Sequence, residues 1–78
     1  QYPEAIDVYR KATELAPDRA LGWEGLGGAQ LAAGDAKSAV ESLTRASQSA
    51  GATPHGALLL GKSLAQSGNA NGAKHRKI

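Results

Sequence analysis

The feature that most constrains this chain is a pattern that returns at one fixed interval. Ala5 recurs as Ala39 and Ala73, and Ala12 as Ala46. Gly22 recurs as Gly56, Leu26-Gly27 as Leu60-Gly61, and Gly34-Asp35 as Gly68-Asn69. A fixed period of this size marks stacked helical hairpins, in which no single pair buries its apolar face alone. The expected fold is therefore all-α, with a surface extended along the stack.

Helix boundaries can be placed from the punctuation. Pro3 suits a first helical turn, where its missing N–H leaves nothing unpaired. Ala5, Ile6, Tyr9, Ala12, Leu15 and Ala16 keep helical spacing, which predicts a first helix over about 3–16. Pro17 stops it. Asp18 is the expected cap of a second helix over about 19–33, with Trp23, Leu26, Gly27 and Gln30 on its stripe. Gly34 supplies the left-handed residue that ends it. Asp35 caps a third helix over about 36–50, facing Ala39, Val40, Leu43 and Ala46 inward. Thr53-Pro54 opens a fourth, expected to end near Ser67. Asn69 is the expected cap of a fifth helix from about Ala70. Loops this short imply antiparallel neighbours. No stretch alternates in the manner of a strand.

At these residues the chain resembles the tetratricopeptide repeat. That family reads W-x2-L-G-x2-Y, then A-x3-F, then Pro, over about 34 residues. Here the complete unit reads Trp23-x2-Leu26-Gly27-x2-Gln30, then Ala39-x3-Leu43 and Ala46, with Gly51 where Pro is usual. The leading segment gives Tyr2, Ala5-x3-Tyr9, Ala12 and Pro17; the trailing one gives Ala57-x2-Leu60-Gly61-x2-Leu64. The departures are Gln30 and Leu43 for aromatics, Gly51 for Pro and Ala57 for Trp. The resemblance implies a right-handed α-solenoid of antiparallel helix pairs in one domain. Residues 1–17 would be the second helix of a leading repeat, 18–51 a complete repeat and 52–78 a truncated one. The opening at Gln1-Tyr2-Pro3 fits an excerpt of a longer protein.

The resemblance also implies where a partner docks, because the family lines its concave groove with the first helix of each repeat. The groove positions are then Leu21, Glu24, Gly28 and Leu31 on one helix and His55, Leu58, Leu59 and Lys62 on the other. Four leucines facing solvent would form a contact patch. Gly25 and Gly28 would leave a trough between Leu21 and Leu31, open to a ligand backbone or to a neighbouring helix. Glu24 and Lys62 would set the register of an apolar-faced helix or extended segment. A clamp for chaperone-tail carboxylates is not expected, since Glu24 and Gly28 stand where basic or amide residues would be needed.

Reactive chemistry finds little support. The glycines of Gly22-x2-Gly25-x-Gly27-Gly28 fall inside a helix, without the strand, Lys and Ser/Thr of a phosphate loop. His55 and His75 stand apart with no cysteine in the chain, and no Ser sits in a G-x-S-x-G elbow. The expectation is a non-catalytic protein-binding scaffold with no cofactor and no metal. Alternatives are a regulatory or substrate-presenting arm of a larger enzyme such as a glycosyltransferase, or a self-associating module.

Charge is unevenly spread. Residues 1–18 carry Glu4, Asp7, Glu14 and Asp18 against Arg10 and Lys11, a balance of −2. Residues 52–78 carry Lys62, Lys74, Arg76 and Lys77 with no acid, a balance of +4. Such a basic end can attract nucleic acid, but Lys and Arg also favour helix C-termini, and nucleic acid is not the expected partner. No apolar run approaches the length of a membrane span. With two and a half repeats, the chain is expected to be marginally stable or to associate through its ends.

Overall fold

The computed structural model describes the backbone of residues 2–76 and the side chains of residues 3–68. It is all-helical. Four helices follow one another: α1 Tyr2–Leu15, α2 Ala20–Ala32, α3 Ala36–Ser47 and α4 Pro54–Arg76. Each packs on the next, and α2 also touches α4. The described residues contain no strand, only an isolated parallel bridge between Arg19 and Ala50.

The core lies between α2 and α3. Ala20, Leu26, Ala39, Leu43 and Ala46 are buried. Gly27 sets their distance, because a Cβ there would run into the Leu43 side chain. Gly22 does the same between α1 and α2, where a Cβ would lie 3.1 Å from the Thr13 backbone nitrogen. The buried polar groups are paired locally. Ser42 Oγ donates to Gln30 Oε1 at 2.7 Å. Thr13 and Ser63 hydroxyls donate to the carbonyls of Arg10 and Leu59. No buried side-chain polar atom among the described residues lacks a partner.

The α2–α3 turn forms as its sequence requires. Gly34 takes φ +90°, its N–H bonds to Leu31 O, and the Asp35 N–H reaches back to Gln30 O. These are the two hydrogen bonds of a Schellman ending. The Asp35 carboxylate then accepts from Ser38 N–H and caps α3.

Three expected boundaries differ. Asp18 does not cap α2. The N-cap is Arg19, extended at φ −107° and ψ 135°, with no side-chain hydrogen bond. Ala50 supplies the partner instead: its carbonyl accepts from Ala20 N–H at 2.8 Å, and its N–H donates to Asp18 O at 3.0 Å. That pairing needs Ala50 extended, which explains why α3 stops at Ser47 rather than Ala50. The Ser47 hydroxyl donates to the Thr44 carbonyl, and the Ser49 hydroxyl joins the Gln48 N–H on the Arg45 carbonyl, where the helix ends.

The third difference is α4, which runs unbroken through Gly68 and Asn69 to Arg76. The second turn of the repeated pattern is therefore not made, and no separate fifth helix begins at Ala70. The turn at Gly34 is held by α3 packing back onto α2. The Asn69 side chain, His75 and the basic cluster of Lys74, Arg76 and Lys77 lie outside the described side chains.

Candidate functional site

Between α1, α2 and α4 lies an open hollow of about 470 Å³. Helical spacing on α2 brings Leu21, Glu24, Gly25 and Gly28 to one side of that helix. α1 contributes Ala5 and Tyr9, and α4 contributes His55 and Leu59. Five of the eight expected groove residues thus share one cavity wall: Leu21, Glu24, Gly28, His55 and Leu59. The other three, Leu31, Leu58 and Lys62, do not line it. Leu31 is half-buried, and Leu58 and Lys62 are exposed on α4 beside it. Leu21 is 81% exposed, an unusual position for a Leu in a helix that supplies much of the core.

Glu24 is committed to the fold. Its Oε2 accepts from Thr53 N–H and its Oε1 from the Thr53 hydroxyl, each at 2.9 Å. Thr53 Oγ1 in turn accepts from Gly56 N–H at 3.1 Å, which caps α4 as its sequence suggests. A carboxylate from α2 thereby sits at the positive end of the α4 dipole. Gly56 is required by the same arrangement, since a Cβ there would strike the Glu24 carboxylate. Glu24 is therefore a brace between α2 and α4.

The trough is also partly accounted for. A Cβ at Gly25 would collide with the Tyr9 ring, so Gly25 exists to admit α1 rather than a ligand backbone. A Cβ at Gly28 would lie 3.5 Å from Leu59 Cδ1, an ordinary contact, and Gly28 still opens the hollow. Tyr9 and Ala5 are wall residues that the repeat pattern does not give, because it makes α1 the second helix of a leading repeat, outside the groove-lining set. One sequence signal does point to them: an aromatic on one helix faces a glycine on the next.

A second hollow, of about 520 Å³, lies between α1, the start of α2 and the Ala50-Gly51 turn. Val8, Tyr9, Ala12, Leu21 and Gly22 contribute to its wall. Tyr9 and Leu21 border both hollows. Near the same turn, Trp23 is half-buried rather than a core residue. Its Nε1–H donates to Pro17 O at 2.9 Å, and the Arg45 guanidinium stands 4.7 Å from its ring centre.

Among the described residues, no three His, Cys, Asp or Glu side chains gather where they could hold a metal ion. Among them, too, no helix is long and apolar enough to cross a membrane. No protein-family model matches this chain, and no curated protein or solved structure matches it significantly.

Proposed function

We propose that this chain is a protein-binding module built as a short right-handed solenoid of antiparallel helix pairs, as its resemblance to tetratricopeptide repeats implies. Its regular repeat spacing supports that reading, as do the Leu43 contact at Gly27 and the packing of α2 against both α3 and α4. The occupant of the groove is an apolar-faced helical segment from another protein. The observation that carries this is the hollow with Leu21 at its edge, exposed yet adjacent to Tyr9 and Leu59. Apolar anchors of this kind carry most of the affinity in a helix-in-groove complex. Lys62, exposed on α4 beside the hollow rather than in its wall, is available to pair with an acidic residue of that segment.

Leu21 is a better probe than the paired Leu58 and Leu59, because Leu59 also packs towards Gly28. The test is to pan a displayed library of amphipathic helical peptides against the chain. Recovered peptides should perturb the amide resonances of Tyr9, Gly28 and His55, and should bind Leu21→Ser at least tenfold more weakly. Peptides that bind Leu21→Ser as well as the wild type, or that perturb other surfaces only, would remove the reading.

A further inference from the structure

The wall of the hollow between α1, α2 and α4 holds an acid that is not free to move aside. Glu24 is half-buried there. Thr53 pins it by both oxygens, its N–H on Oε2 and its hydroxyl on Oε1, each at 2.9 Å. Gly56 lies close against the carboxylate, since a Cβ there would strike it. A surface glutamate ordinarily swings into water when a partner arrives. This one would lose two hydrogen bonds and its place at the positive end of α4.

The pinned carboxylate still has acceptor sites to spare. An ionised carboxylate offers about four, and Thr53 uses two. Among the described residues, the wall contains no Lys or Arg to use the others. Around Glu24 the wall is mainly apolar, with Tyr9, Leu21 and Leu59. An apolar face laid over it would strip water from the carboxylate and put nothing in its place. A charge buried without a partner opposes binding strongly, whereas a cation on the incoming face removes that penalty.

Spacing adds to the charge argument. Leu21, Glu24 and Gly28 follow one another along one side of α2. Leu21 and Gly28 are two turns, or about 10 Å, apart along the axis, with Glu24 between them. Leu21 is 81% exposed and offers an apolar contact at one end. At the other end Gly28 opens onto Leu59, whose Cδ1 is 3.5 Å from where a Cβ of Gly28 would stand. A helix laid along α2 therefore meets an apolar, an acidic and again an apolar position, one turn apart.

We infer that the segment in the hollow is a helix with apolar residues at i and i+7 and a Lys or Arg at i+3 or i+4, and that this cation pairs with Glu24. The inference rests on the protein-binding reading and adds the partner's charge and spacing. The pinned acid selects in two ways. It pairs with a cation, and it rejects a helix that brings an apolar or acidic side chain to the same place.

The test uses the helical peptides recovered by panning against the full chain. They should carry a basic residue at that spacing. Replacing it by Gln should weaken binding to the wild type by about tenfold, and replacing it by Glu should weaken binding further. On Glu24→Gln the basic and Gln peptides should bind alike, because the amide keeps an acceptor for Thr53 but carries no charge. Circular dichroism checks that this variant is folded. A measurement on the wild type alone covers the case where it is not: the Thr53 amide resonance, which reports on Glu24, should move with the basic peptide and not with its Gln form. Peptides that need Leu21 yet lack a basic residue at that spacing would overturn this inference and leave the protein-binding reading standing. So would a basic residue whose loss costs as much on Glu24→Gln as on the wild type, or a Thr53 amide that answers both peptides equally. Peptides indifferent to Leu21→Ser would remove the protein-binding reading, and this inference with it.

Discussion

Both carboxylate oxygens of Glu24 are held by Thr53, one through its N–H and one through its hydroxyl, each at 2.9 Å. This joins residues 29 apart in sequence and makes the start of α4 depend on a side chain of α2. A hydroxyl at Thr53 alone would satisfy Gly56 N–H. The carboxylate adds a partner for the Thr53 N–H itself and a negative charge beside the helix dipole.

Glu24→Ala should therefore loosen α4 selectively. The expected loss is about 1–2 kcal/mol, since a cap contact and a charge-assisted hydrogen bond go together at a partly exposed site. Glu24→Gln should lose less, because an amide keeps one acceptor for Thr53. Urea unfolding measures the loss. Hydrogen exchange locates it: the first-turn amides of α4 should exchange faster while those of α3 stay protected. Uniform acceleration across all helices would show that the brace is not local.

The Ser42–Gln30 pair gives a prediction about cost without benefit. Ser42→Ala strands the Gln30 amide in the α2–α3 interface and should cost about 1–3 kcal/mol. Replacing both, as Ser42→Ala with Gln30→Leu, removes the unsatisfied group and supplies apolar area, so most of the loss should return. A double-mutant cycle by chemical denaturation reads the coupling directly. Additive losses would mean that water satisfies Gln30 in the single variant and that the hydrogen bond contributes little.

Local signals in the sequence are good guides where one residue decides the geometry. Gly34 and Asp35 need only a left-handed residue followed by a cap, and both form as the sequence indicates. So does Thr53-Pro54. Asp18 misleads because an Asp before a helix is a cap only if the backbone places it there; the bridge between Arg19 and Ala50 moves the cap by one residue. Gly68-Asn69 misleads for a tertiary reason. The same dipeptide chemistry turns the chain at Gly34, where α3 packs back onto α2, while at Gly68 the backbone stays helical within α4. The groove is half legible. Periodicity puts Leu21, Glu24, Gly28, His55 and Leu59 on shared faces, but the bond from Glu24 to Thr53 spans two hairpins and leaves no mark in spacing. Gly25 looks like an opening in the sequence because its filler, Tyr9, lies on a helix that the repeat pattern places on the other side.

Trp23 holds the first turn from two sides, by its bond to Pro17 O and by the Arg45 guanidinium. Trp23→Phe keeps an aromatic face but deletes the donor. It should cost about 1 kcal/mol, with a further small loss from the weaker cation–π contact. Arg45→Ala should remove only the second effect and shift the indole fluorescence. If Arg45→Ala leaves the emission unchanged, the guanidinium does not rest on the ring in solution.

Four glycines of α2 and α4 separate packing from propensity, and they predict effects of opposite sign. Every helical Gly→Ala change gains about 1 kcal/mol of propensity. At Gly27 and Gly25 that gain is opposed by the Leu43 side chain and the Tyr9 ring, which a Cβ would overlap. Displacing packed groups costs about 1–3 kcal/mol, so both variants should be less stable than the wild type. At Gly61 and Gly28 the space is open or in ordinary contact, and the propensity gain should appear nearly whole. Thermal unfolding of the four single variants, measured at a concentration where the wild type is monomeric, should therefore rank Gly61→Ala and Gly28→Ala above the wild type. Gly25→Ala and Gly27→Ala should fall below it. Gly61→Ala is the sharpest of the four. Its period partner Gly27 is closed by α3 while Gly61 faces solvent, so the two identical substitutions should move stability in opposite directions. A loss at both would mean that α4 is covered in solution by something that occupies the place α3 takes on α2, and a gain at both that the Leu43 side chain gives way to the added methyl.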